Sequence, residues 1–319
     1  MNKDVFNKIS HMRRNMDTGV RIEDEFNLHN ELSGAVVYNE KGEEIAGNDT
    51  VDFSSFAVED GYGPYMLNVN LNWGYAYKYV EVDEFNVHRF GTDLSWFRNI
   101  IGSDGNDILR GDKQGNVIVG KGGKDNISGG EGDDLTIGGS SNTTYAYFEK
   151  NFGHDIVIDE GGERDVINLA NWHGRLPISV ENILLSRDGD SLLISFNTVD
   201  AEKVPEGSIT IAGHYADKSR VIEILRLRDA SGAVKDYDLA QLAMSLDAKG
   251  AKQAVSELLT QKTEISSSPA SAVISNTARS FHLLLQEAAR FDAPVPGGMA
   301  CHYQAIPSMQ ANVLIATPA

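Results

Sequence analysis

The pattern of apolar and polar positions is most regular between Gly102 and Ile137. Three-residue runs that contain large apolar residues recur every nine residues, separated by six-residue stretches rich in Gly and Asp. The four windows read GSDGNDILR, GDKQGNVIV, GKGGKDNIS and GGEGDDLTI. Each begins with Gly, and three carry Asp at the sixth position. Because Gly adopts left-handed backbone angles at little cost, the pattern predicts tight turns that join very short strands, with the middle residue of each strand facing inward.

A coil made of two windows would stack the turns of alternate windows. The Asp107 turn would then lie on the Asp125 turn, and the Asn116 turn on the Asp134 turn. Calcium takes six to eight oxygen ligands, which carboxylates and the carbonyls of open Gly turns can supply. We expect one ion between each stacked pair, bound more weakly where Asn116 brings a neutral amide. The candidate metal-site residues are Asp107, Asp125, Asp134, Asn116, Ser103, Gly105, Lys121, Gly123, Gly130 and Gly132. The alternative is ordinary Gly/Asp turns without metal.

The windows share the template G-G-x-G-x-D-x-U-x, where U is a large apolar residue, and this resembles the calcium-binding nonapeptide of the RTX (repeats-in-toxin) family. The resemblance implies a parallel β-roll, Ca²⁺ as cofactor, export by a type I secretion apparatus and a location outside a Gram-negative cell. Gln114 departs from the template at a Gly position, and Thr136 at an inward apolar position. A fifth window, Gly138–Ala146, has Thr143 in place of Asp, which argues against a third site there.

Strand-like sequence precedes the windows. Gly47–Phe53 (GNDTVDF) resembles runs that border RTX rolls, Tyr65–Asn72 largely alternates apolar and polar residues, and Leu94–Ile101 leads directly into the first window. The sheet is therefore expected to begin before the repeats. An aromatic row in this region could form a carbohydrate platform or be β-sheet core with cross-strand pairs, and we favour the core because aromatic residues are enriched in strands. Its members are Tyr62, Tyr65, Trp73, Tyr75, Tyr77 and Tyr79.

The pattern continues in weakened form after the windows. Between Gly153 and Leu169, short apolar runs alternate with Asp/Gly turns, and Asp155, Asp159 and Asp165 are secondary calcium candidates, although exposed surface turns are the favoured interpretation. Residues 178–239 read as a β-rich cap with a hairpin turn at Asp188–Gly189. Such a cap protects the open end of a solenoid.

The last part of the chain changes to helical spacing from Asp238 onward. Residues 266–319 contain only four charged residues and resemble the uncleaved C-terminal signal of type I secreted proteins; an ordinary helix and tail is the alternative. We predict a mainly β fold, with a parallel β-roll, β-rich flanking segments and a short α-helical C-terminal tail. The predicted divisions are a polar N-terminal segment (1–46), a β-rich flank (47–101), the roll (102–146), a β-rich cap (147–242), a helical segment (243–265), and a linker with secretion signal (266–319).

The amino-acid composition limits the classes of partner that the protein is expected to bind. The formal net charge of −18 over 319 residues argues against nucleic acid and anionic membranes and favours cations. No stretch reaches the roughly 18 apolar residues of a membrane span, and the N-terminus lacks the apolar region of a secretory signal peptide, so export would need another signal. The single Cys301 excludes an intrachain disulfide.

No catalytic motif is found. H-E-x-x-H and G-x-S-x-G are absent, and Gly120–Lys124 resembles a phosphate loop except that Asp125 stands where Ser or Thr belongs. We therefore expect no catalytic residues and predict a secreted calcium-binding protein whose roll folds on calcium binding after type I export. The alternatives are an extracellular enzyme acting on polysaccharides or esters, and an adhesin or toxin fragment with a host-surface or polysaccharide target.

Overall fold

The chain folds mainly into β-strands, which form two large mixed sheets and one small hairpin. The computed structural model describes residues 19–21, 31–33, 36–38, 42–55, 66–83, 86–171, 177–197, 204–246 and 250–260. The mainly β prediction is confirmed.

The strands up to the fifth window are β1 (Gly19–Arg21), β2 (Glu31–Ser33), β3 (Val36–Tyr38), β4 (Glu44–Ala46), β5 (Thr50–Asp52), β6 (Met66–Asn70), β7 (Tyr75–Asp83), β8 (Asn86–Ser95), β9 (Asn99–Ile101), β10 (Asn106–Arg110), β11 (Val117–Val119), β12 (Asn126–Ser128), β13 (Leu135–Ile137) and β14 (Thr144–Ala146). The later elements are β15 (Asn151–Ile158), β16 (Val166–Asn168), β17 (Ile183–Asp188), β18 (Ser191–Phe196), β19 (Glu206–Ile211), β20 (Ile224–Arg228), β21 (Val234–Asp238), α1 (Leu239–Met244) and β22 (Gln253–Ala254).

Successive strands from β9 to β16 alternate between the two sheets. The first sheet has the order β1-β5-β9-β11-β13-β15-β19-β18-β17-β22, and the second β2-β8-β7-β6-β10-β12-β14-β16-β20-β21. Parallel pairing runs from β1 to β19 in the first sheet and from β6 to β20 in the second. The predictions that strands begin before the windows and continue after them are therefore confirmed.

The register within the windows follows the two-window period. Ile108 pairs with Asn126 and Val117 with Leu135, each 18 residues further along the chain. Alternate windows therefore stack, as predicted. Beyond the windows, paired residues lie further apart along the chain, and Leu135 pairs with Ile156.

The core between the sheets is built from the middle residues of the window strands. Leu109, Ile118 and Ile127 are buried and join one cluster with residues of the preceding flank. A second cluster on β11, β13 and β15 buries the residues on either side of these middle positions, which the window pattern did not predict; it contains Val117, Leu135, Ile137, Ile156, Ile158 and Ala212. Parallel sheets are commonly buried on both faces, which explains why these positions are apolar.

Antiparallel hairpins extend the parallel strands. In the first sheet, β17 and β18 pair antiparallel with Asp188 opposite Ser191, and Gly189 takes a left-handed φ of +58° in the turn. The predicted hairpin is confirmed at this position. In the second sheet, β6, β7 and β8 form an antiparallel meander before the first window strand.

The helical part of the described chain is short. The Asp238 carboxylate accepts a hydrogen bond from the Gln241 backbone N–H at 2.8 Å and begins α1, which buries Leu239 and Leu242. Within 243–265, α1 ends, β22 follows, and residues 255–260 are helical. The segment 266–319 lies outside the described residues. Among the described helices, none has the length and apolar character needed to cross a bilayer.

Candidate metal centre

Side chains at the sixth position of the windows link each turn to the turn two windows earlier. The Asp107 backbone N–H donates to Asp125 Oδ1 at 2.9 Å, and the Asn116 backbone N–H donates to Asp134 Oδ1 at 2.7 Å. Each pair is 18 residues apart, which is one two-window coil. The structure therefore brings Asp107 to Asp125 and Asn116 to Asp134, as the stacking prediction required.

The same linkage continues past the windows in two columns. In the even column, which consists of Asn116, Asp134 and Asp155, the Asp134 N–H donates to Asp155 Oδ1 at 2.9 Å. In the odd column, which consists of Asp107, Asp125, Thr143, Asp165 and Glu223, the Thr143 N–H donates to Asp165 Oδ1 at 2.5 Å and the Asp165 N–H to Glu223 Oε2 at 2.8 Å. Thr143 lacks a carboxylate, but its turn still stacks.

Burial raises the proton affinity of these carboxyl groups. Asp107, Asp125 and Asp134 are no more than 3% exposed. Loss of hydration raises the pKa of Asp107 to about 7. Loss of hydration and the nearby charge of Asp107 raise the pKa of Asp125 to about 8. Burial, with the charge of Asp155, raises the pKa of Asp134 well above its usual range. Such groups need a proton or a cation to stay buried.

Two of the buried carboxylates in the four windows have an oxygen without a hydrogen-bond partner in the described part of the chain. Among the described residues, Asp125 Oδ2 and Asp134 Oδ2 are buried and have no hydrogen-bond partner. A Cβ placed on Gly120 would lie 2.3 Å from Asp125 Oδ2, and one on Gly129 would lie 2.0 Å from Asp134 Oδ2. The first Gly of the window is therefore required, because any side chain would collide with this oxygen.

The first two windows differ from the later ones. The Asp107 carboxylate accepts from the Ser103 backbone N–H at 2.6 Å and from the Ser103 hydroxyl at 2.8 Å. Asn116 Oδ1 accepts from the Asp112 N–H at 2.8 Å, and its Nδ2 donates to the Arg98 carbonyl at 2.7 Å. These two side chains form hydrogen bonds within or beside their own turns, whereas Asp125 and Asp134 each keep one oxygen without a hydrogen-bond partner among the described residues.

Backbone carbonyls of one turn lie against the glycines of the turn stacked on it. A Cβ on Gly123 would lie 2.1 Å from the Gly105 carbonyl oxygen, and one on Gly130 would lie 2.0 Å from that of Asp112. Gly123, Gly130 and Gly132 all take left-handed φ values, of +80°, +111° and +105°. These glycines let the stacked turns approach closely, because a side chain at these positions would meet the backbone of the neighbouring turn.

Within the four windows, Lys121 is the one non-glycine residue that has a left-handed backbone conformation. It takes a φ of +77°, a left-handed conformation that is uncommon for a residue with a side chain. Its Nζ lies 3.2 Å from Asp104 Oδ1 and donates to the Ser54 carbonyl at 3.4 Å. The side chain therefore ties the third window to the first and to the preceding flank, while its backbone stays in the turn.

The favoured interpretation of Asp155, Asp159 and Asp165 as exposed surface turns is wrong. All three are buried, at 2%, 0% and 0% exposure. The Tyr145 hydroxyl donates to Asp159 Oδ1 at 2.7 Å, and burial raises the pKa of Asp159 to about 8. Asp165 Oδ2 is buried without a hydrogen-bond partner among the described residues. The spacing of 22 residues from Thr143 to Asp165, close to the two-window period, is the sequence signal that could have revealed this stacking.

The stacked turns offer buried carboxylate oxygens singly or in pairs. Within the described ranges, no three His, Cys, Asp or Glu side chains converge as a metal-binding group. A cation here would take one or two carboxylate oxygens and complete its shell from backbone carbonyls. Calcium accepts such a flexible set of oxygens, whereas magnesium demands a compact octahedron.

Comparisons with known proteins assign no family. No protein-family model matches the chain, and the search of curated proteins likewise finds no match. The resemblance of Gly102–Ile137 to RTX repeats remains a prediction that rests on the residues of the windows.

Proposed function

We propose that the protein is a calcium-binding protein of the RTX kind, in which the two parallel ladders form the faces of a β-roll that folds when calcium binds. The observation that carries the proposal is the pair Asp125 and Asp134, two buried carboxylates that each have an oxygen without a hydrogen-bond partner among the described residues. A buried carboxylate is costly unless a cation or a proton compensates it. Ca²⁺ at the stacked turns would supply that compensation.

Each candidate residue has a role in this proposal. Asp125 and Asp134 would supply carboxylate oxygens, Asp107 and Asn116 would contribute from the stacked partner turns, and the turn backbones would supply carbonyls. The turn residues concerned are Ser103, Gly105, Lys121, Gly123, Gly130 and Gly132. The pair Asp107 and Asp125 would bind more tightly than the pair Asn116 and Asp134, because the second pair has one neutral member.

Calcium binding and folding would be coupled. Residues 102–165 contain 13 Asp and Glu against six Lys and Arg, a net charge of 6 − 13 = −7, so the metal-free segment repels itself. Because no site exists in an unfolded chain, the free energy of binding becomes free energy of folding. At a calcium concentration of about 100 times Kd, each site would add about 2.7 kcal/mol.

We extend the proposal to secretion. Low cytosolic calcium would leave the roll loose enough for a type I apparatus, and extracellular calcium would then fold it outside the cell. The charge-poor residues 266–319 would act as the secretion signal. Of the alternative functions, a polysaccharide target is favoured by one specific observation, the exposed ring of Trp73.

Circular dichroism during a calcium titration tests the proposal. The purified chain in chelator should gain β-structure as calcium is added, and lose it again with excess chelator. Magnesium at the same concentration is the matched control and should produce little change. A spectrum that stays constant across the calcium titration would refute the proposal.

A further inference from the structure

Two depressions on the surface adjoin each other, and together they are called the groove. The first, about 230 Å³, is lined by Trp73, Arg110 and Phe148 among others, and the second, about 430 Å³, by Trp96 and Gln114 among others. Both are lined by Asn72, Asp112 and Lys113. The groove therefore runs over the turn of the second window, with a tryptophan in each half.

Trp73 is presented at the tip of the β6–β7 hairpin. Asn70 Oδ1 accepts a hydrogen bond from the Trp73 backbone N–H at 2.9 Å, and Gly74 closes the turn with a φ of +68°. Trp73 is 70% exposed, although Trp is highly buried on average in folded proteins. This hydrogen-bonded turn thus exposes the Trp73 ring to solvent, and the ring lines the first depression.

The aromatic row continues from Trp73 along the outer face of β7. The ring centroids of Trp73 and Tyr75 are 6.2 Å apart, and those of Tyr75 and Tyr77 are 4.6 Å apart in a stacked arrangement. Ala76, between the two tyrosines, points into the core and is fully buried. The interpretation as sheet core is therefore wrong for Trp73, whereas Tyr75 and Tyr77 are half-buried on the face opposite Ala76.

The other part of that interpretation, cross-strand packing, applies to Tyr77. A Cβ on Gly91 would lie 2.3 Å from the Tyr77 ring, so this ring covers the glycine of the neighbouring strand. Tyr62, Tyr65 and the side chain of Tyr79 lie outside the described residues. Only Trp73 of the described row lines the groove.

The polar lining of the groove offers hydrogen-bond donors and acceptors side by side. The Arg110 guanidinium lies 4.7 Å from the centroid of the Phe148 ring, and Lys113 Nζ lies 3.9 Å from Glu131 Oε1. The charged residues that line the first depression are Arg110, Lys113, Asp112, Glu131 and Glu149. Their formal sum is 2 − 3 = −1, which disfavours phosphates, uronates and other anions.

Trp96 in the second depression has a strained backbone. Its φ of +62° is a left-handed conformation that is a rare outlier for a bulky residue. Such conformations cost free energy and concentrate at ligand-binding positions. The strained Trp96 therefore singles out the second half of the groove, as the exposed Trp73 singles out the first.

We propose that this groove binds a neutral, linear oligosaccharide. A sugar ring has an apolar C–H face that packs on an aromatic ring, and hydroxyl groups that both donate and accept hydrogen bonds. Trp73 and Trp96 would each take a sugar face, and the polar side chains between them would bind the hydroxyls. This oligosaccharide site rests on the proposed calcium-binding function in one respect, because calcium would order the turns at Asp112 and Glu131 that line the groove.

Isothermal titration calorimetry of the full chain in calcium tests this site. The probes are four uncharged hexaoses, namely cellohexaose, maltohexaose, mannohexaose and xylohexaose. At least one should bind, and Trp73→Ala should weaken its binding at least tenfold, with Trp73→Phe intermediate. Met244→Ala is the control, because Met244 is 78% exposed and does not line the groove. The calcium response in circular dichroism should be the same in all variants.

Three results would overturn the proposal. They are no binding of any hexaose to a chain that responds to calcium, unchanged binding in Trp73→Ala, and binding of polygalacturonate in place of the neutral probes. The same titrations in chelator separate this proposal from the calcium proposal. If the chain binds a hexaose through Trp73 but shows no calcium response, the groove stands and the calcium proposal fails.

Discussion

Asp107 and Asp125, 18 residues apart, are joined by a 2.9 Å hydrogen bond from the backbone N–H of the first to Oδ1 of the second. The second oxygen of Asp125 is buried and, among the described residues, has no hydrogen-bond partner. One carboxylate therefore links two stacked turns and keeps a buried oxygen that, in the proposed function, would bind Ca²⁺. The stacking of the turns and the proposed calcium site would therefore depend on the same side chain.

Asp125→Asn separates these two roles. The amide oxygen can still accept from the Asp107 N–H, but the buried charge is lost. We expect the calcium-free variant to be more stable than the parent chain at pH 8, and its stabilisation by calcium to fall by up to about 2.7 kcal/mol at 100 times Kd. Urea denaturation with calcium and with chelator measures both effects. Glu163→Gln, at an exposed position, is the control and should change neither.

The two stacked pairs should differ. Asp134→Asn should cost less calcium stabilisation than Asp125→Asn, because the partner Asn116 is neutral and its amide already bonds to Asp112 and Arg98. Isothermal titration calorimetry with calcium measures the calcium affinity of the two variants and of the parent chain. Equal losses of calcium affinity would contradict the prediction that the pair Asp107 and Asp125 binds calcium more tightly than the pair Asn116 and Asp134.

Gly123→Ala tests the close approach of the turns. Gly123 and Gly232 both have left-handed φ values, +80° and +85°, but a Cβ on Gly123 would lie 2.1 Å from the Gly105 carbonyl oxygen, whereas a Cβ on Gly232 meets nothing within 4 Å. Gly232→Ala should cost only the backbone strain, roughly 1–2 kcal/mol. Gly123→Ala should cost clearly more in urea denaturation with calcium; equal costs would argue against tightly stacked turns.

The metal-free chain should lose stability as the pH rises. The pKa of Asp107 is about 7 and that of Asp125 about 8 in the folded chain, against about 3.9 for an unfolded Asp. Between about pH 4 and 8 the folded state holds more protons than the unfolded state, so these groups stabilise it fully below pH 4 and lose that contribution by pH 8.

Calcium should reverse this trend, because it competes with protons for the same carboxylates. Urea midpoints in chelator should be lower at pH 8 than at pH 5, and the gain from calcium should be larger at pH 8. A metal-free chain that is more stable at pH 8 than at pH 5 would contradict the buried-carboxylate account.

The secretion proposal is tested by deletion of residues 266–319. The truncated chain should stay inside cells that carry a type I apparatus, while its calcium response in circular dichroism is retained. Fusion of 266–319 to a slowly folding passenger should lead to export of the passenger. Export of the truncated chain at the full-length level would show that another segment carries the signal.

The sequence predicts the window strands and their stacking because the nine-residue period fixes both. The local sequence around Asp155 and Asp165 does not predict their burial, since an Asp/Gly turn looks the same whether it stacks or faces water; only the 22-residue spacing from Thr143 to Asp165 carries that signal. The exposure of Trp73 was not predicted, for a related reason. Alternation assigns a residue to a face of a strand, but Trp73 lies in the turn after β6, where alternation has no meaning.

Amide hydrogen exchange with and without calcium tests the central claim most directly. The amides of Leu109, Ile118 and Ile127, on the short strands between the stacked turns, should exchange slowly in calcium and far faster in chelator. Magnesium should not restore their protection. If these amides are equally protected in calcium and in chelator, the windows fold without metal and calcium-coupled folding is contradicted.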